Sequence, residues 1–418
     1  MKIQEQREIL EQMLKKEKYR ILIAAGGTGG HVFPAIALAK KFQDDGHRVI
    51  IVGTGNELER KIFNKQKIET IFFDSTFTQS KQKSLFGKIK AFLPFAMSKK
   101  ELEEDERLKN FVVEINPHLI LGMGGYASID LMKKSRYCYE LVSNGPFMPE
   151  DVIEPYLAIH EQNAKSGRAN RYIAMFLARG VIEGLPGAFD WKTKLFKLSS
   201  DDHVFMGNPI RDEIINIYKE VRSFSEFSKN PRILVFGGSQ GARKINQTIP
   251  KMLEKVDKEM NIEIIHQTGE SDYQDVLASY EQRGLSANVM PFINDMAGAY
   301  EWADLVIGRS GAMTVSELSA IGMPSILIPY PHAMDNHQWF NAKFIADKSG
   351  AELILDKDLE PEMLAICIEK IFSDKDILVK MSKATFDQTF VDATKNITQF
   401  CYKMIQQPPL KNLKDFSM

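Results

Sequence analysis

The chain has 418 residues, a formal net charge of -1, 44% hydrophobic residues and 26% charged residues. This composition indicates a soluble globular protein long enough for two ordinary domains, and the balanced charge argues against a nucleic-acid-binding protein. The three cysteines, Cys138, Cys367 and Cys401, lie far apart without metal-ligand spacing and suit a reducing cytosol. No apolar run is long enough to cross a membrane, and the charged N-terminus lacks the core of a signal peptide. We therefore expect a cytoplasmic protein whose membrane contact is at most peripheral.

A glycine-rich turn follows the first predicted strand, after a polar helical leader at residues 1–18. The strand at 19–24 ends at Gly-Gly-Thr-Gly-Gly-His, residues 26–31, and a helix is predicted at 34–45. Such a turn brings backbone N–H groups to a bound anion, but its spacing is neither the dinucleotide nor the Walker motif. His31 lies at the helix entry, which favours a neutral imidazole that can accept a proton. The alternative is a tight turn with a histidine that only packs.

The first half continues with strands predicted at 48–52, 117–121 and 157–160, so it has the βαβ order of a parallel sheet. A second glycine turn follows at 122–126, and residues 131–155 have no regular pattern. Glu161, Gln162 and Asn163 directly follow a buried strand, where α/β sheets bind ligands. The alternative for Asn163 is that it caps the next helix.

Residues 75–100 combine lysines with apolar side chains. Two interpretations are open: binding to an anionic membrane surface, or an ordinary amphipathic helix with its apolar side in the core. The residues proposed for the membrane patch are Phe86, Lys88, Ile89, Lys90, Phe92, Leu93 and Phe95.

The second half repeats the doubly wound plan after a polar linker at 223–230. A strand at 232–236, a third glycine turn at 237–242 and a helix at 243–255 come first. Strands at 262–267, 287–292, 304–308 and 324–329 alternate with helices at 295–302 and 314–321. We predict a leader at 1–18, an N-terminal domain at 19–222, a C-terminal domain at 231–395, and a final helix at 396–418 that packs on the N-terminal domain.

Two polar groups of the second half are candidate ligand contacts. Glu317 completes a capping-box pattern at 314–317, but a carboxylate at this helix start could equally accept hydrogen bonds from a ribose. Spacing cannot separate these interpretations. The cluster at 332–341 contains two histidines but matches no standard metal site. Gln338 and Asn341 would share one helix face and could bind sugar hydroxyls.

The chain resembles the MurG family of bacterial glycosyltransferases over about residues 19–355. The resemblance rests on the order of motifs at 26–31, 124–126, 160–163, 207–211, 237–243, 295–296, 310–317 and 335–341. It implies an α/β GT-B fold, in which two Rossmann-like domains with doubly wound parallel sheets face one cleft. It also implies inverting transfer of N-acetylglucosamine (GlcNAc) from UDP-GlcNAc to the C4 hydroxyl of N-acetylmuramic acid (MurNAc) in undecaprenyl-pyrophosphoryl-MurNAc-pentapeptide. This step converts lipid I into lipid II in peptidoglycan synthesis.

The resemblance also implies roles for individual residues. His31 would be the general base, Arg211 and Ser239 would meet the diphosphate, the Ile293 backbone would pair with uracil, and Glu317 would hold the ribose. The full set of donor contacts would be Thr28, Gly29, Gly30, Asn163, Arg211, Ser239, Ile293, Ala312, Met313, Thr314, Val315, Ser316, Glu317, Gln338 and Asn341. The acceptor side would contain Gly124, Gly125, Tyr126 and Glu161. No cofactor and no metal would be required for the chemistry.

The expected location is the cytoplasmic face of the bacterial inner membrane, where lipid I is found. Proteins of cell-wall synthesis and division are candidate partners, and nucleic acid is not. The chain departs from the family pattern in its longer leader, at Ala-Ser-Ile-Asp in 127–130, and in the irregular segment 131–155. The alternatives are another lipid-acceptor GT-B glycosyltransferase, a non-catalytic nucleotide-sugar-binding protein, and a UDP-sugar epimerase.

Overall fold

The structure is a computed structural model that describes residues 19–26, 29–73, 106–143, 152–190, 202–218, 230–238 and 240–407. The strands are β1 Arg20–Ala24, β2 Arg48–Gly53, β3 Glu69–Phe72, β4 Leu119–Gly122, β5 Tyr156–Glu161, β6 Gly180–Glu183, β7 His203–Phe205, β8 Arg232–Phe236, β9 Glu263–Gln267, β10 Asn288–Met290, β11 Leu305–Gly308, β12 Ser325–Leu327 and β13 Ala351–Leu353. The helices are α1 Gly29–Asp44, α2 Glu57–Phe63, α3 Glu106–Ile115, α4 Gly125–Ser143, α5 Arg168–Phe176, α6 Asp212–Ile215, α7 Arg243–Leu253, α8 Tyr273–Gln282, α9 Met296–Trp302, α10 Ala312–Ile321, α11 His337–Ala346, α12 Pro361–Phe372, α13 Lys375–Thr385, α14 Gln388–Val391 and α15 Ala393–Ile405.

The first sheet has the strand order β3-β2-β1-β4-β5-β6-β7 within the described residues. β1 lies at its centre and pairs in parallel with both neighbours, with Leu22 opposite Ile50 and Ile120. Leu22 has no exposed surface, as expected for a parallel strand covered on both faces. The chain reverses its direction of travel across the sheet between β3 and β4, so the loops after β1 and β4 lie side by side. This is the position where doubly wound sheets bind ligands.

The second sheet has the order β10-β9-β8-β11-β12-β13, and each neighbouring pair is parallel. One buried cluster includes Ile233, Ile249 and Ile307, and another includes Leu234 and Val315. β8 therefore contributes alternating residues to two apolar clusters, as the period of a strand requires. The predicted α/β class with two doubly wound parallel sheets is confirmed.

The chain divides into two compact units by its internal contacts. The first takes the described residues up to Ile159, Tyr172–Gly180 and the described residues from Thr398 onward, and the second takes His160–Arg171 and Val181–Ile397. The predicted bounds instead placed the whole of 19–222 in one domain. The difference has a physical cause, because Ile210 and Ile214 pack in the same apolar cluster as Leu234 and Val315.

Two predicted segments differ from the observed ones. α1 begins at Gly29 rather than at residue 34, so the end of the first glycine turn is already helical. The irregularity predicted from residue 131 was wrong up to Ser143, because these residues belong to α4. Every residue from Ala127 to Ser135 is buried, and five of these nine are polar or charged: Ser128, Asp130, Lys133, Lys134 and Ser135. Because burial here extends around the helix and includes charged residues, the sequence shows no apolar period.

Residues near the C-terminus form α15. From Thr398 onward they belong to the first unit, where the Tyr402 hydroxyl donates to Asp45 Oδ2 at 2.7 Å and Met404 Sδ lies 2.8 Å from the Tyr156 hydroxyl. Within the described ranges, no helix combines the length and apolar character needed to cross a bilayer.

Candidate active site

The first glycine turn fixes the orientation of His31. His31 lies in the first turn of α1, and its Nδ1 is 3.0 Å from the carbonyl oxygen of Gly26. A carbonyl oxygen only accepts hydrogen bonds, so Nδ1 carries the hydrogen and donates it. This tautomer places the lone pair on Nε2, as a proton-accepting base requires.

The second glycine turn lies against the first. A Cβ placed on Gly125 would be 3.4 Å from the Gly26 oxygen and 4.0 Å from His31 Nδ1. Gly124 and Gly125 have φ values of 103° and 78°, a backbone region that favours glycine. The hydroxyl of buried Ser128 lies 3.2 Å from the carbonyl oxygen of Ala24 and 2.9 Å from that of Gly124. The residue pattern at 127–130 that departs from the family thus lies in the first two turns of α4, and Ser128 links the end of β1 to the second glycine turn.

A partly buried ion pair joins two predicted donor contacts in the second unit. Arg211 Nη2 donates to Glu317 Oε1 at 3.1 Å, and the Tyr300 hydroxyl donates to Oε2 at 3.0 Å. Glu317 is 8% exposed, so both carboxylate oxygens are held in a nearly water-free environment. Arg211 also lies 3.7 Å from Glu213. Such charge-assisted hydrogen bonds are stronger than neutral ones and hold the two side chains in one geometry.

Burial shifts the pKa values of the side chains around Glu317. Burial raises the pKa of Glu317, while the charge of Arg211 and the hydrogen bonds from Arg211 and Tyr300 oppose the rise. Burial opposes the charge of Arg211 too, but the Glu317 carboxylate outweighs this effect and the pKa of Arg211 is raised. Burial also raises the pKa of Tyr300 well above its ordinary value, so this hydroxyl is a donor. The arrangement offers a guanidinium with a fixed direction beside a carboxylate.

The start of α10 contradicts the capping-box interpretation of Glu317. The helix begins at Ala312 after Gly311, and no side chain caps it. Thr314 lies inside the first turn, and Glu317 turns toward Arg211 and Tyr300 instead of reaching back. The first N–H groups of any helix lack intrahelical partners, so this helix start can bind a ligand. The predicted contacts at Ala312, Met313, Thr314, Val315 and Ser316 all lie in the first five residues of α10.

The loop after β5 is organised by Glu161. Its Oε1 accepts from the backbone N–H and the amide of Asn163, and its Oε2 accepts from the N–H of Gly167 and the amide of Asn170. Four donors thus surround a carboxylate that is almost fully buried. Asn163 does not cap the next helix, because α5 begins only at Arg168. Glu161, predicted on the acceptor side, instead holds the loop that carries Asn163.

Asn163 and Asn341, both predicted as donor contacts, contact each other. The Asn341 amide donates to Asn163 Oδ1 and to the carbonyl oxygen of Ser310, each at 3.1 Å, and its own oxygen accepts from the N–H of Ala164 at 2.8 Å. Asn341 has 0% exposure, so it braces Asn163 and has no surface to offer a sugar. Gln338 is half-buried one turn earlier in α11, where its oxygen accepts from the N–H of Tyr330 at 2.9 Å. This contact fixes the direction of the Gln338 amide nitrogen.

The third glycine turn is closed by a hydrogen bond from the Gly241 N–H to the Gly238 oxygen at 3.0 Å. Gln267 Nε2 donates to the same oxygen at 3.0 Å. The oxygen of Gln267 accepts from the N–H of Ile293 at 2.9 Å. The N–H of Ile293 therefore has an internal partner, and only its carbonyl is left for the predicted pairing with uracil.

A chain of buried polar groups lies beside this turn. The Asn246 amide donates to the Thr268 oxygen and to Asp272 Oδ2, so its own oxygen faces His266 Nε2 at 3.1 Å as an acceptor. His266 Nδ1 in turn lies 3.0 Å from the Tyr280 hydroxyl. His266 therefore carries its hydrogen on Nε2 and accepts from Tyr280. Burial lowers the pKa of His266 to about 3 from 6.5, so the ring is neutral.

Replacing His266 by glutamine should flatten the acid dependence of stability. The unfolded chain binds a proton below the ordinary pKa of 6.5, whereas the folded chain binds it only near 3. The neutral His266 ring contributes fully to the stability of the folded chain above the unfolded pKa of 6.5. This contribution is lost as the pH falls from 6.5 toward about 3. Between about pH 5.5 and about pH 4.5, the gap in unfolding free energy between wild type and His266→Gln should narrow by about 1.4 kcal/mol. Urea titrations of both proteins at the two pH values measure this difference in unfolding free energy. The same replacement at exposed His332 is the control. A difference in unfolding free energy that does not change with pH would contradict a buried neutral ring at His266.

Several predicted residues lie outside the described part of the chain: Thr28, Ser239 and the membrane patch at Phe86, Lys88, Ile89, Lys90, Phe92, Leu93 and Phe95. Tyr126 is described only as part of the backbone of α4. Within the described ranges, no three His, Cys, Asp or Glu side chains form a group that could hold a metal ion.

Residues 21–182 match the glycosyltransferase family 28 N-terminal domain, and residues 232–397 match the glycosyltransferase family 28 C-terminal domain. The UDP-N-acetylglucosamine--N-acetylmuramyl-(pentapeptide) pyrophosphoryl-undecaprenol N-acetylglucosamine transferase of Psychromonas ingrahamii is 34% identical over 392 residues, which are 93% of this chain and 100% of the relative. The chain belongs to glycosyltransferase family 28. Its resemblance to the MurG family is thereby confirmed, and it is a glycosyltransferase.

Solved structures agree with this family. Acinetobacter baumannii MurG is 27% identical and superposes with a TM-score of 0.69, covering 92% of this chain and 99% of that chain. The fold is therefore GT-B. The UDP-GlcNAc 2-epimerase from Neisseria meningitidis has a TM-score of 0.59, covering 92% of this chain and 100% of that chain. It is only 11% identical, so this likeness concerns the fold alone.

Three residues that contact predicted site residues are absent from the set that the sequence predicts. Gln267 ends β9 and Asn208 follows β7, so both had the signal that singled out Asn163, a polar residue after a strand. Asn208 donates to the Gln162 oxygen and to Ser316 Oγ, at 3.0 Å and 2.8 Å. Tyr300 resembles an ordinary core aromatic, and only its contact with Glu317 distinguishes it.

Proposed function

We propose that this chain transfers GlcNAc from UDP-GlcNAc to the C4 hydroxyl of MurNAc in undecaprenyl-pyrophosphoryl-MurNAc-pentapeptide, converting lipid I into lipid II. The observation that carries this proposal is the 34% identity to a transferase of that name over 93% of the chain. The oriented His31 and the Arg211–Glu317 pair supply chemistry that suits it.

His31 acts as the general base. Its Nε2 removes the proton from the C4 hydroxyl while the hydroxyl oxygen attacks the anomeric carbon of the donor. The bond between that carbon and the diphosphate oxygen breaks on the opposite face, so the configuration inverts to a β-linkage and UDP leaves with the bonding electrons. Positioning of the two sugars and proton removal together lower the barrier.

The donor is held by residues of the second unit. Arg211 and the third glycine turn bind the diphosphate, the start of α10 binds the nucleotide, and Glu317 accepts hydrogen bonds from the ribose hydroxyls. The Ile293 carbonyl pairs with uracil, and Gln338 donates to a GlcNAc hydroxyl. Guanidinium and helix N–H groups stabilise the charge of departing UDP, so the reaction requires no metal.

The decisive experiment is transfer of labelled GlcNAc from UDP-GlcNAc to a soluble lipid I analogue, with and without EDTA. We expect transfer at equal rates in both buffers. UDP-GlcNAc binding without transfer would contradict the proposed acceptor and favour another lipid acceptor or a non-catalytic binding protein. Conversion of UDP-GlcNAc without any acceptor would indicate an epimerase, and a loss of rate in EDTA would contradict metal-free catalysis.

The proposed location is the cytoplasmic face of the inner membrane, by peripheral binding. The support is the basic and aromatic composition of residues 75–100 and the lipid named as acceptor of the relatives. The same assay with lipid I in phosphatidylglycerol or phosphatidylcholine vesicles tests this location. Faster transfer on the anionic vesicles is expected, and equal rates would contradict an electrostatic contribution to membrane binding.

A further inference from the structure

Gln267 connects two loops that follow different strands of the second sheet. β9, which it ends, lies between β8 and β10. Its amide donates to the Gly238 oxygen in the turn after β8 and accepts from the Ile293 N–H in the segment after β10. Gln267 is 2% exposed, so water does not compete for these hydrogen bonds.

The backbone around Gln267 is itself fixed. The N–H groups of Thr268 and Gly269 donate to the oxygens of Met290 and Pro291, at 3.0 Å and 3.1 Å. The Thr268 oxygen accepts from Asn246 at 2.9 Å. A Cβ on Gly241 would overlap the Thr268 oxygen, so Gly241 of the third glycine turn packs backbone to backbone against this segment. Gln267 therefore projects from a rigid support.

We propose that Gln267 is a positioning residue that sets the spacing between the diphosphate-binding turn and the uracil-binding segment. This inference rests on the proposed function, which assigns those two parts of UDP to the glycine turn and to Ile293. A ligand with two linked parts gains affinity from the link only when both subsites lie at the matching distance. The Gln267 side chain contacts both subsites.

Glutamine has the donor and the acceptor that this bridge needs. Glutamate could accept from the Ile293 N–H but, when ionised, could not donate to the Gly238 oxygen. Methionine has a similar length but can form neither strong hydrogen bond. Gln267→Met therefore removes both hydrogen bonds with little change in side-chain volume, and Gln267→Glu removes one of them.

The test measures dissociation constants for UDP and for uridine by ligand-observed NMR, together with KM and kcat for UDP-GlcNAc. We expect Gln267→Met to weaken UDP binding at least about 10-fold and uridine binding less than about 3-fold, because only UDP spans both subsites. KM for UDP-GlcNAc should rise more than kcat falls. Gln267→Glu should show the same pattern, and it supplies the result if Gln267→Met does not fold.

Gln282→Met is the matched control, since Gln282 is exposed at the end of α8. It should bind both ligands like the wild type. Equal losses for UDP and uridine, or no loss in either Gln267 variant, would overturn the inference. A wild-type protein that binds neither UDP nor UDP-GlcNAc would instead overturn the proposed function.

Discussion

Replacing His31 by alanine is expected to lower kcat for GlcNAc transfer at least about 100-fold while leaving UDP affinity unchanged. The hydrogen bond from Nδ1 to the Gly26 oxygen leaves Nε2 as a free base, and alanine has no group that can take the C4 proton. The proposed UDP contacts involve other residues, so binding should survive. Steady-state kinetics with the soluble lipid I analogue and a separate UDP binding titration measure the two effects.

His332→Ala controls for the loss of an imidazole. His332 is exposed and stacks edge-on against Tyr330, so its removal should leave transfer intact. A second variant, His31→Gln, keeps a polar side chain at the helix start but lacks a base. If it retained more than about a tenth of the wild-type kcat, His31 would orient the acceptor rather than remove its proton.

Replacing Glu317 by glutamine is expected to weaken UDP-GlcNAc binding at least about 100-fold. Hydrogen bonds to a charged group contribute about 1.5 to 3 kcal/mol each, and a ribose offers two hydroxyls to the carboxylate. The change also removes the counter-charge that holds Arg211 at 3.1 Å. Stability should change less than affinity, because burial already disfavours the charged form of Glu317, as its raised pKa indicates. Calorimetric titration and thermal unfolding compare the two quantities.

Tyr300→Phe separates the ribose contact from the support of Glu317. It removes only the hydroxyl that donates to Oε2 at 3.0 Å, and it keeps the ring and the charge of the carboxylate. UDP-GlcNAc binding should weaken less than about 10-fold, in keeping with one internal hydrogen bond. Equal losses of UDP-GlcNAc affinity in Tyr300→Phe and Glu317→Gln would mean that Glu317 supports its neighbours in the fold. They would contradict a direct contact between the carboxylate and the ribose.

Local patterns predicted most of the secondary structure and the position of His31. Short apolar runs that alternate with helical patterns indicate parallel strands, and glycines between them indicate ligand-binding turns. The failures arose where the pattern was incomplete. In α4, Ser128 and Ser135 occupy buried positions, so no apolar period was visible although the residues form a helix.

The sequence predicts a set of site residues but not the contacts between them. Arg211 and Glu317 were each assigned to UDP, but their ion pair spans 106 residues of sequence and leaves no local signal. Asn341 was assigned to the sugar from its spacing to Gln338. The structure instead buries it against Asn163 and Ser310, because helix periodicity defines a shared face but not what that face contacts.

The sequence by itself determined the doubly wound α/β plan, the order of the glycine turns and the family, because these depend on local spacing and on motif order. Tertiary structure decided which of these polar side chains are paired with other parts of the chain. Glu161, Gln267 and Asn341 are polar residues near strand ends or helix starts, and only their partners reveal that they hold loops in place. The physical reason is that a buried polar group must be paired, and its partner lies wherever the fold brings a donor or acceptor within reach.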